Sequence, residues 1–424
     1  MNKNLIQWVG ITLLVAIASG LLGWFIFISK KQGEVDMTIE GRGFTTGIPT
    51  GGEVGSMREN FVTFFTDSFS DYRTDEETSA NGTSTPEEPR FWQVSQIPGT
   101  GLASLVKIAS GTPSTVLRFV ERPSGNVFEV PAGGGSPHRL TNTLIPRVYE
   151  ALWLDADSLV IRHADDDGIT MLTFVADMQS ASSSEGVGEL VGAYLEDDVR
   201  AVATHPAGKE PALFYLATNA QGTFGILSKG NGTDPKRLWG SPLRGWRLSW
   251  LTDATVVLSQ NAAQGLAGSA YTLSLKDGSL SLLAGNESGL IVTKHPTENA
   301  FAYSTSVRGK TRLFVRIGSE TTELPIATFA EKCVWGAGAK LLLYCAVPDS
   351  FPDVDLPDAW YRGETSFNDR WYVVNAAAGS AEEMLGRQET KGARVDVIDP
   401  VLDTGGERIF FTDGKTGTLW VVRI

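Results

Sequence analysis

The sequence is poor in the residues that bind metals and that carry covalent catalysis. It has two cysteines and four histidines in 424 residues. The histidines are far apart in the chain, at His138, His163, His205 and His295. Because zinc and calcium sites need clustered ligands, we expect no metal ion and no cofactor. The serine-nucleophile motif G-x-S-x-G is also missing, so we expect a protein that is not an enzyme.

Basic residues are outnumbered, with 36 Lys and Arg against 49 Asp and Glu and a formal net charge of −13. Binding of DNA or RNA needs clustered basic side chains that displace counterions from the phosphates. This charge balance therefore excludes nucleic acid as an expected partner. It predicts an acidic, well-solvated surface instead.

Long apolar runs are missing except at the N-terminus, where residues 5–28 contain no charged side chain. As a helix this segment is about 36 Å long, enough to cross a membrane. We expect residues 1–31 to be an uncleaved signal anchor. The alternative is a signal peptide cleaved after Ala18, but that cut leaves SGLLGWFIFI on the mature chain. Lysines flank both ends of the segment, so its orientation does not follow from the flanking charges.

Helical periodicity is missing from the rest of the chain, which divides into two parts. Residues 32–89 are rich in Gly, Ser, Thr and acids, and this composition predicts a flexible acidic tether. From residue 90 to 424, short runs rich in Val, Leu, Ile, Phe and Tyr alternate with Gly, Asn, Asp and Pro. This pattern predicts strands at regular spacing.

The strands form a repeat of an apolar strand, a polar turn and a second apolar strand. Its anchor positions are Trp153, Thr204, Trp250, Lys294, Trp335 and Ile398. A period in the forties with four strands per unit is typical of a β-propeller. An earlier unit lies before Trp153, and the last unit lacks one strand, which residues 90–97 can supply. We therefore expect an all-β, seven-bladed propeller over residues 90–424, with six or eight blades as alternatives.

These units resemble degenerate copies of the W-S-P-D-G-x-x-I-x-F repeat of TolB-like propellers and of dipeptidyl-peptidase-type propellers. The repeat's tryptophan matches Trp153, Trp250 and Trp335, and its Ser-Pro matches His205-Pro206 and His295-Pro296. The sequence is also similar to uncharacterised membrane-anchored propeller proteins of candidate-phylum bacteria. The resemblance implies the fold. It implies no activity, because the sequence contains no α/β-hydrolase domain like that of the peptidases.

The spacing between the last two anchors is longer than the others and predicts an insertion at about residues 347–370. We identify a candidate partner-binding loop there, comprising Asp358, Trp360, Tyr361, Arg362, Phe367 and Trp371. Exposed aromatic side chains in loops are typical binding anchors. The alternative is a local core that packs the loop on its own blade, with Arg362 paired to a neighbouring aspartate. Catalysis by the carboxylates of the loop is a third alternative.

Two short motifs concern structure more than chemistry. If the hairpin between them is symmetric about Ala339, Cys333 and Cys345 face each other, so we expect a disulfide, with two buried free thiols as the alternative. A disulfide would place the domain outside the cytoplasm. The run from Asp165 to Gly168 is expected to be a hairpin turn, with a calcium ligand set as the alternative.

Together these features predict a single-pass membrane protein with a short cytoplasmic end and an extracytoplasmic propeller. We expect the propeller to be a scaffold that binds a protein or a component of the cell envelope. One alternative is a sensor that binds a glycan or a small ligand. Another is an envelope lyase or hydrolase in the propeller funnel, which requires carboxylates or arginines that converge on one face.

Overall fold

A computed structural model describes residues 89–109, 112–179, 186–196, 198–205, 211–338 and 340–424. The expected signal anchor and almost all of the expected tether lie outside these residues. Within the described ranges, no helix has both the length and the apolar character of a membrane span.

The described chain forms seven antiparallel sheets of four strands each, numbered here as blades 1 to 7. Blade 1 contains β2 (Gly99–Ala109), β3 (Thr112–Glu121), β4 (Val127–Pro131) and β5 (His138–Arg139). Blade 2 contains β6 (Val148–Trp153), β7 (Ser158–Ala164), β8 (Met171–Gln179) and β9 (Glu189–Tyr194). Blade 3 contains β10 (Val199–Thr204), β11 (Ala212–Asn219), β12 (Gly222–Lys229) and β13 (Lys236–Ser241). Blade 4 contains β14 (Trp246–Thr252), β15 (Thr255–Gln260), β16 (Ala267–Ser274) and β17 (Leu280–Ser288).

The last three blades follow the same plan. Blade 5 contains β18 (Ile291–Lys294), β19 (Ala300–Val307), β20 (Lys310–Ile317) and β21 (Glu320–Glu323). Blade 6 contains β22 (Cys333–Trp335), β23 (Leu342–Pro348), β24 (Asp369–Asn375) and β25 (Ser380–Glu383). Blade 7 contains β26 (Val397–Leu402), β27 (Arg408–Asp413), β28 (Leu419–Arg423) and β1 (Phe91–Gln93). A 3₁₀ turn (Ala330–Lys332) precedes β22, and a short helix α1 (Asp358–Tyr361) lies between β23 and β24. The expectation of an all-β, seven-bladed propeller is confirmed.

The ring closes through β1, as the sequence predicts. This strand pairs antiparallel with β28, with Phe91 opposite Val422 and Gln93 opposite Trp420. The start of the propeller therefore supplies the outermost strand of a blade whose other three strands come from its end. Pairing of this kind covers a sheet edge that would otherwise be open to other chains.

The hydrophobic core lies between neighbouring blades. One cluster joins Val120 and Val127 of blade 1 to Leu159 and Ile161 of blade 2. Another joins Leu117 of blade 1 to strands of blade 7, so the interface between the first and the last blade is also apolar. Side chains that alternate along each strand are buried on both faces of the sheet, because each blade has a neighbour on either side.

The repeated tryptophans connect the innermost strands of adjacent blades. The Trp153 indole donates a hydrogen bond to the Gly101 carbonyl of blade 1 at 2.6 Å. The Trp335 indole donates to the Thr293 carbonyl of blade 5 at 3.1 Å. Two of the histidines pack on the tryptophan of the next blade: His205 stacks on Trp250, and His295 meets Trp335 edge-on. The repeat motif therefore stabilises the contact between blades.

The first strands of neighbouring blades pack against one another and surround the central axis. Since the blades are related by rotation about this axis, all first strands begin at the same face, which we call the upper face. The connections between blades and the connections from second to third strands lie there. Direct contacts agree, because the Gln264 side chain of blade 4 accepts hydrogen bonds from the backbone of Gly309 in blade 5 and of Leu356 in blade 6.

Candidate functional site at the mouth of the central channel

The insertion of blade 6 consists of the residues between β23 and β24, and most of its aromatic side chains are buried. Trp360 and Phe367 pack around Phe329, with ring centroids 5.0 and 5.9 Å from its own. Trp371 is 1% exposed and packs on Phe411 of blade 7. The prediction that Trp360, Phe367 and Trp371 bind a partner is therefore wrong, because side chains buried in this way cannot reach a partner. These aromatic side chains stabilise the fold instead, because their apolar surface is removed from water inside the protein.

A buried ion network fastens the insertion to blade 7. The Lys332 Nζ lies 2.6 Å from a carboxylate oxygen of Asp369 and 2.6 Å from one of Asp396. It also donates to the Val397 carbonyl and lies 4.6 Å from the centre of the Trp360 ring. The Trp360 indole donates to Asp396 at 2.9 Å. The network therefore holds the insertion in one position.

Two carboxylates share this one lysine, and this arrangement affects the protonation of Asp369. Burial, together with the neighbouring charge of Asp396, raises the pKa of Asp369 to about 6 against the opposing effect of Lys332. The second oxygen of Asp369, Oδ1, has no hydrogen-bond partner among the described residues. The network therefore binds a proton more readily than an ordinary surface carboxylate does.

The other residues of the candidate loop extend over the neighbouring blades. The Arg247 guanidinium of blade 4 donates to the Tyr361 hydroxyl at 2.6 Å, and that hydroxyl donates to Glu331. Asp358 accepts a hydrogen bond from the Gln264 backbone at 2.7 Å. Arg362 is exposed and pairs with Glu364 instead of an aspartate. The insertion thus contacts blade 4 as well as blade 7, and it does not pack on its own blade alone.

A cavity of about 380 Å³ occupies the central channel below α1. Its walls come from the innermost strands of four blades: Leu248 and Leu251 of β14, Ile291 and Lys294 of β18, Cys333 of β22, and Asp399, Pro400 and Val401 of β26. The walls carry apolar and polar side chains in similar measure, and Arg247, Glu331 and Asp399 lie at the upper end. We call this end the channel mouth and define it by Arg122, Arg247, Glu331, Tyr361 and Asp399.

Arg247 and Glu331 form an ion pair at the mouth, with 2.5 Å between nitrogen and oxygen. Burial lowers the pKa of Arg247, but Glu331 and Tyr361 raise it more, so the pKa ends above its ordinary value. The guanidinium is therefore charged at any pH at which the protein is folded. Sequence reasoning missed both residues, since they lie outside every motif.

Asp399 is exposed at the mouth on an irregular part of β26. Its φ is +51°, a left-handed conformation that is unusual for residues other than glycine. The pairing of β26 with β27 shifts between Ile398 and Val401, so the strand has a bulge at this point. Such bulges redirect a side chain and are frequent beside functional sites. Pro400 was the available sequence signal, because proline inside a strand often marks a bulge.

Arg122 lies on the turn between β3 and β4. Its Nε donates to the Gly99 carbonyl at 3.0 Å, and in the described part of the chain its two terminal nitrogens donate to no protein group. Burial lowers the pKa of Arg122, while Asp399, Tyr149 and Glu150 act in the opposite direction. The charge of Asp399 therefore acts to raise the pKa of two arginines at the mouth, Arg122 and Arg247.

The two cysteines form a disulfide beside the channel. The Cys333 and Cys345 sulfur atoms are 2.14 Å apart, and the residues are directly opposite in the pairing of β22 with β23. Cys345 is fully buried, and Cys333 is 4% exposed at the channel wall. The bridge fixes the start of blade 6 directly below the insertion.

The Asp165–Gly168 run forms the turn between β7 and β8. Asp167 accepts hydrogen bonds from the backbone of Ile169 and Thr170 and from the Thr170 hydroxyl. These bonds, of which the one from the Thr170 hydroxyl acts most strongly, lower the pKa of Asp167. Among the described residues no group of three or more His, Cys, Asp or Glu side chains has an arrangement suited to a metal ion.

Comparison with known proteins adds a general likeness in fold. No protein-family model and no curated protein matches the chain. Tricorn protease matches 81% of this chain and 34% of its own length at 10% identity, with a TM-score of 0.48. TolB from Acinetobacter baumannii matches 66% of this chain and 78% of its own at 9% identity, with a TM-score of 0.39. An oligogalacturonate lyase solved with manganese matches 78% and 98% at 10% identity, with a TM-score of 0.40.

The chain thus spans about a third of tricorn protease, and most of the other two. All three identities are low, so no activity and no partner is taken from these proteins. The assignment of a propeller depends on the strand pairings of the chain itself.

Proposed function

We propose that this protein is a binding scaffold that presents the upper face of its propeller to a protein or a cell-envelope component. One observation carries the proposal. Seven large apolar side chains are exposed in or beside the upper loops: Ile97, Leu144, Ile169, Leu243, Leu266, Val307 and Val354. We call them the apolar loop residues. In or beside the described loops of the opposite face there are three: Val187, Leu280 and Ile424.

The distribution of these residues matters more than their number. Single exposed apolar residues are normal on soluble proteins, but their concentration on one face marks an interaction surface. Leu266 and Val307 lie in neighbouring loops that the Gln264 side chain connects to the insertion. Loops on a rigid scaffold are also the usual place for binding residues.

Co-purification tests this proposal. The full-length tagged chain would be isolated from its native cells as wild type, as Leu266→Asp/Val307→Asp, and as the matched control Val106→Asp/Val187→Asp. The control positions are exposed but lie away from the upper loops. Quantitative mass spectrometry should find proteins or envelope fragments that are lost from the first variant and retained by the control. Equal recovery from both variants would refute a binding role for the upper face.

The membrane location is part of the same proposal. We infer that residues 5–28 anchor the chain with the propeller outside the cytoplasm, and the Cys333–Cys345 disulfide supports an oxidising compartment. In Ser56→Cys, a thiol reagent that cannot cross membranes should label intact cells. Labelling that requires lysis would place the propeller inside.

A second function is favoured by the channel. The cavity is within the usual size range of small-ligand pockets, and its walls combine apolar side chains with polar and charged ones. A sensor that binds a small ligand there is consistent with this geometry. The converging charges of Arg247, Glu331 and Asp399 also fit the enzymatic alternative.

A further inference from the structure

The outer strand of blade 3, β13, is basic in an acidic protein. The sequence between Asp234 and Asp253 contains four basic residues and no acidic one, although the formal net charge of the chain is −13. Lys236 and Arg237 lie on β13 itself and are exposed. Asp234, the acid next to them in the sequence, pairs with Lys229 instead. The two positive charges of β13 are therefore open to a negatively charged partner.

Arg237 is held in place by stacking on an aromatic ring. Its guanidinium lies over Phe224, 3.5 Å from the ring centroid. A terminal nitrogen of the guanidinium lies beside Gly240, which has no side chain to displace it. A stacked guanidinium keeps its N–H groups at its edge, where they can bind a carboxylate through two parallel hydrogen bonds. Arg237 thus provides a preorganised site for one carboxylate on this face of β13.

The opposite face of β13 is aromatic. Trp239 packs edge-on against Trp246 of blade 4, with ring centroids 5.1 Å apart, and Trp246 lies 6.2 Å from Tyr271. All three rings are half-buried. Leu282 is opposite Tyr271 in the pairing of β16 with β17 and is 66% exposed. We call these four side chains the aromatic groove, and they offer apolar surface beside the basic strand.

The backbone of β13 also has an open edge. The strand is the last of its sheet, so its outer edge pairs with no strand that the structure describes. At the bulge of β13, Gly278 of blade 4 lies against the Leu238 carbonyl. The part above the bulge, residues 239–241, is as long as the segment by which β1 closes the ring. An extended peptide can add to such an edge through backbone hydrogen bonds.

The charges of other outer strands differ from those of β13. Glu320 and Glu323 lie on β21, and Glu382 and Glu383 lie on β25. Carboxylates at these edges would repel an acidic segment, since like charges on adjacent strands are destabilising. The surface at β13 also continues into the upper face, because Leu243, one of the apolar loop residues, follows this strand and is 51% exposed.

We propose that the outer edge of β13 binds an extended acidic segment of a partner protein. The segment adds to the sheet as a strand with carboxylates on one face and apolar side chains on the other. Arg237 binds a carboxylate beside Gly240, and the aromatic groove takes the apolar side chains out of water. The inference rests on the proposed function, the binding of a protein, and deepens it by naming the chemistry of the partner.

Calorimetry on the full-length chain in detergent tests the proposal with two synthetic peptides. The acidic peptide is Asp-Leu-Asp-Phe-Asp-Leu-Asp, and the basic peptide has Lys in place of every Asp. We expect the acidic peptide to bind and the basic peptide to bind about tenfold more weakly or worse, since it loses the charge-assisted contact. No heat with the acidic peptide at millimolar concentration, or equal affinity for both peptides, overturns the proposal.

Two N-methylated forms of the acidic peptide test the addition of a strand. One form is methylated at the amides of its aspartates, and the other at the amides of its apolar residues. Alternate N–H groups of a strand point to the same side, so one of the two sets faces β13 and the other faces solvent. We expect one form to lose about tenfold in affinity and the other to bind like the parent peptide. Equal affinity of the two forms refutes backbone pairing.

Charge reversal assigns the contact to β13. Lys236→Glu/Arg237→Glu should lose the acidic peptide and bind the basic peptide instead, a gain that an unfolded protein would not show. His138→Glu/Arg139→Glu makes the same change at two exposed residues of β5, the outer strand of blade 1, and should bind both peptides like wild type. Retained binding of the acidic peptide by the β13 variant would place its site elsewhere and overturn the proposal.

Partner recovery separates a failure here from a failure of the proposed function. If Lys236→Glu/Arg237→Glu retains every partner that Leu266→Asp/Val307→Asp loses, the upper face is still a binding face and the acidic segment is refuted. Loss of the same partner from both variants supports the proposal.

Discussion

At the scale of single residues, the most unusual feature is a lysine without any solvent contact. Lys332 is 0% exposed, and its charge is compensated by Asp369 and Asp396. Removing one member of a buried ion network leaves the others uncompensated, which costs about 3–5 kcal/mol. We therefore expect Lys332→Met to lower the free energy of unfolding by that amount in urea titrations.

The exposed Lys340, in the turn between β22 and β23, provides the control for this change. Lys340→Met removes the same charge from the same blade and should change stability by less than about 0.5 kcal/mol. Equal midpoints for the two variants would mean that the buried network contributes nothing.

Asp369 gives the protein a pH dependence of specific sign. Its pKa is about 6 in the folded chain, above the ordinary value of 3.8, because burial disfavours the charged form. The folded state thus retains a proton that the unfolded state has lost. The stability from this residue is complete below pH 4 and declines as pH rises to about 6, by up to about 3 kcal/mol.

Comparison of wild type with Asp369→Asn isolates this effect, because other carboxylates titrate in both proteins. The difference in unfolding free energy between them should change in favour of the variant from pH 4 to pH 6 and be constant above pH 7. A difference that is independent of pH over this range would show that Asp369 has an ordinary pKa.

Residues such as Lys332, Arg122 and Arg247 could not be assigned from the sequence. A charged side chain is normally on the surface, and its burial depends on partners that the fold brings from other blades. Asp396 is far from Lys332 in the chain, and Asp399 is far from Arg122. The residues adjacent to each charged side chain in the sequence do not indicate such a pair. The exception is the Asp-Pro step at Asp399, whose proline marks the bulge.

At the scale of elements, the insertion of blade 6 was located from repeat spacing alone. Its length and its place between the second and third strands agree with the ends of β23 and β24. Its role was not evident, since an aromatic cluster in a loop fits both a binding site and a small core. The aromatic side chains form a small core because of Phe329. This residue precedes blade 6 and provides the surface on which Trp360 and Phe367 pack.

The disulfide under this insertion should stabilise blade 6. A bridge between residues 12 apart restricts the unfolded chain and contributes about 3 kcal/mol. We expect a reductant to lower the free energy of unfolding of wild type by this amount in urea titrations. Cys333→Ala/Cys345→Ala should begin at the lower value and be insensitive to reductant. Unchanged stability of reduced wild type would contradict a structural role for the bridge.

At the scale of the whole molecule, the blade count and the closing strand followed from the sequence. Each repeated tryptophan contacts the preceding blade: Trp153 and Trp335 through an indole hydrogen bond, and Trp250 by stacking on His205. The closure by β1 followed from a missing strand in the last unit. The distribution of charged and apolar side chains between the two faces could not be predicted from the sequence. It depends on which loops the ring of blades brings together.

The central claim is that the upper face is the binding face, and photo-crosslinking in living cells tests it most directly. A photoreactive amino acid would replace Leu144, Leu266, Val106 or Val187, one position at a time, in the full-length chain. We predict crosslinked products of the same mass from Leu144 and Leu266 and none from Val106 or Val187. Products from Val106 or Val187 alone, or from no position, would contradict the account.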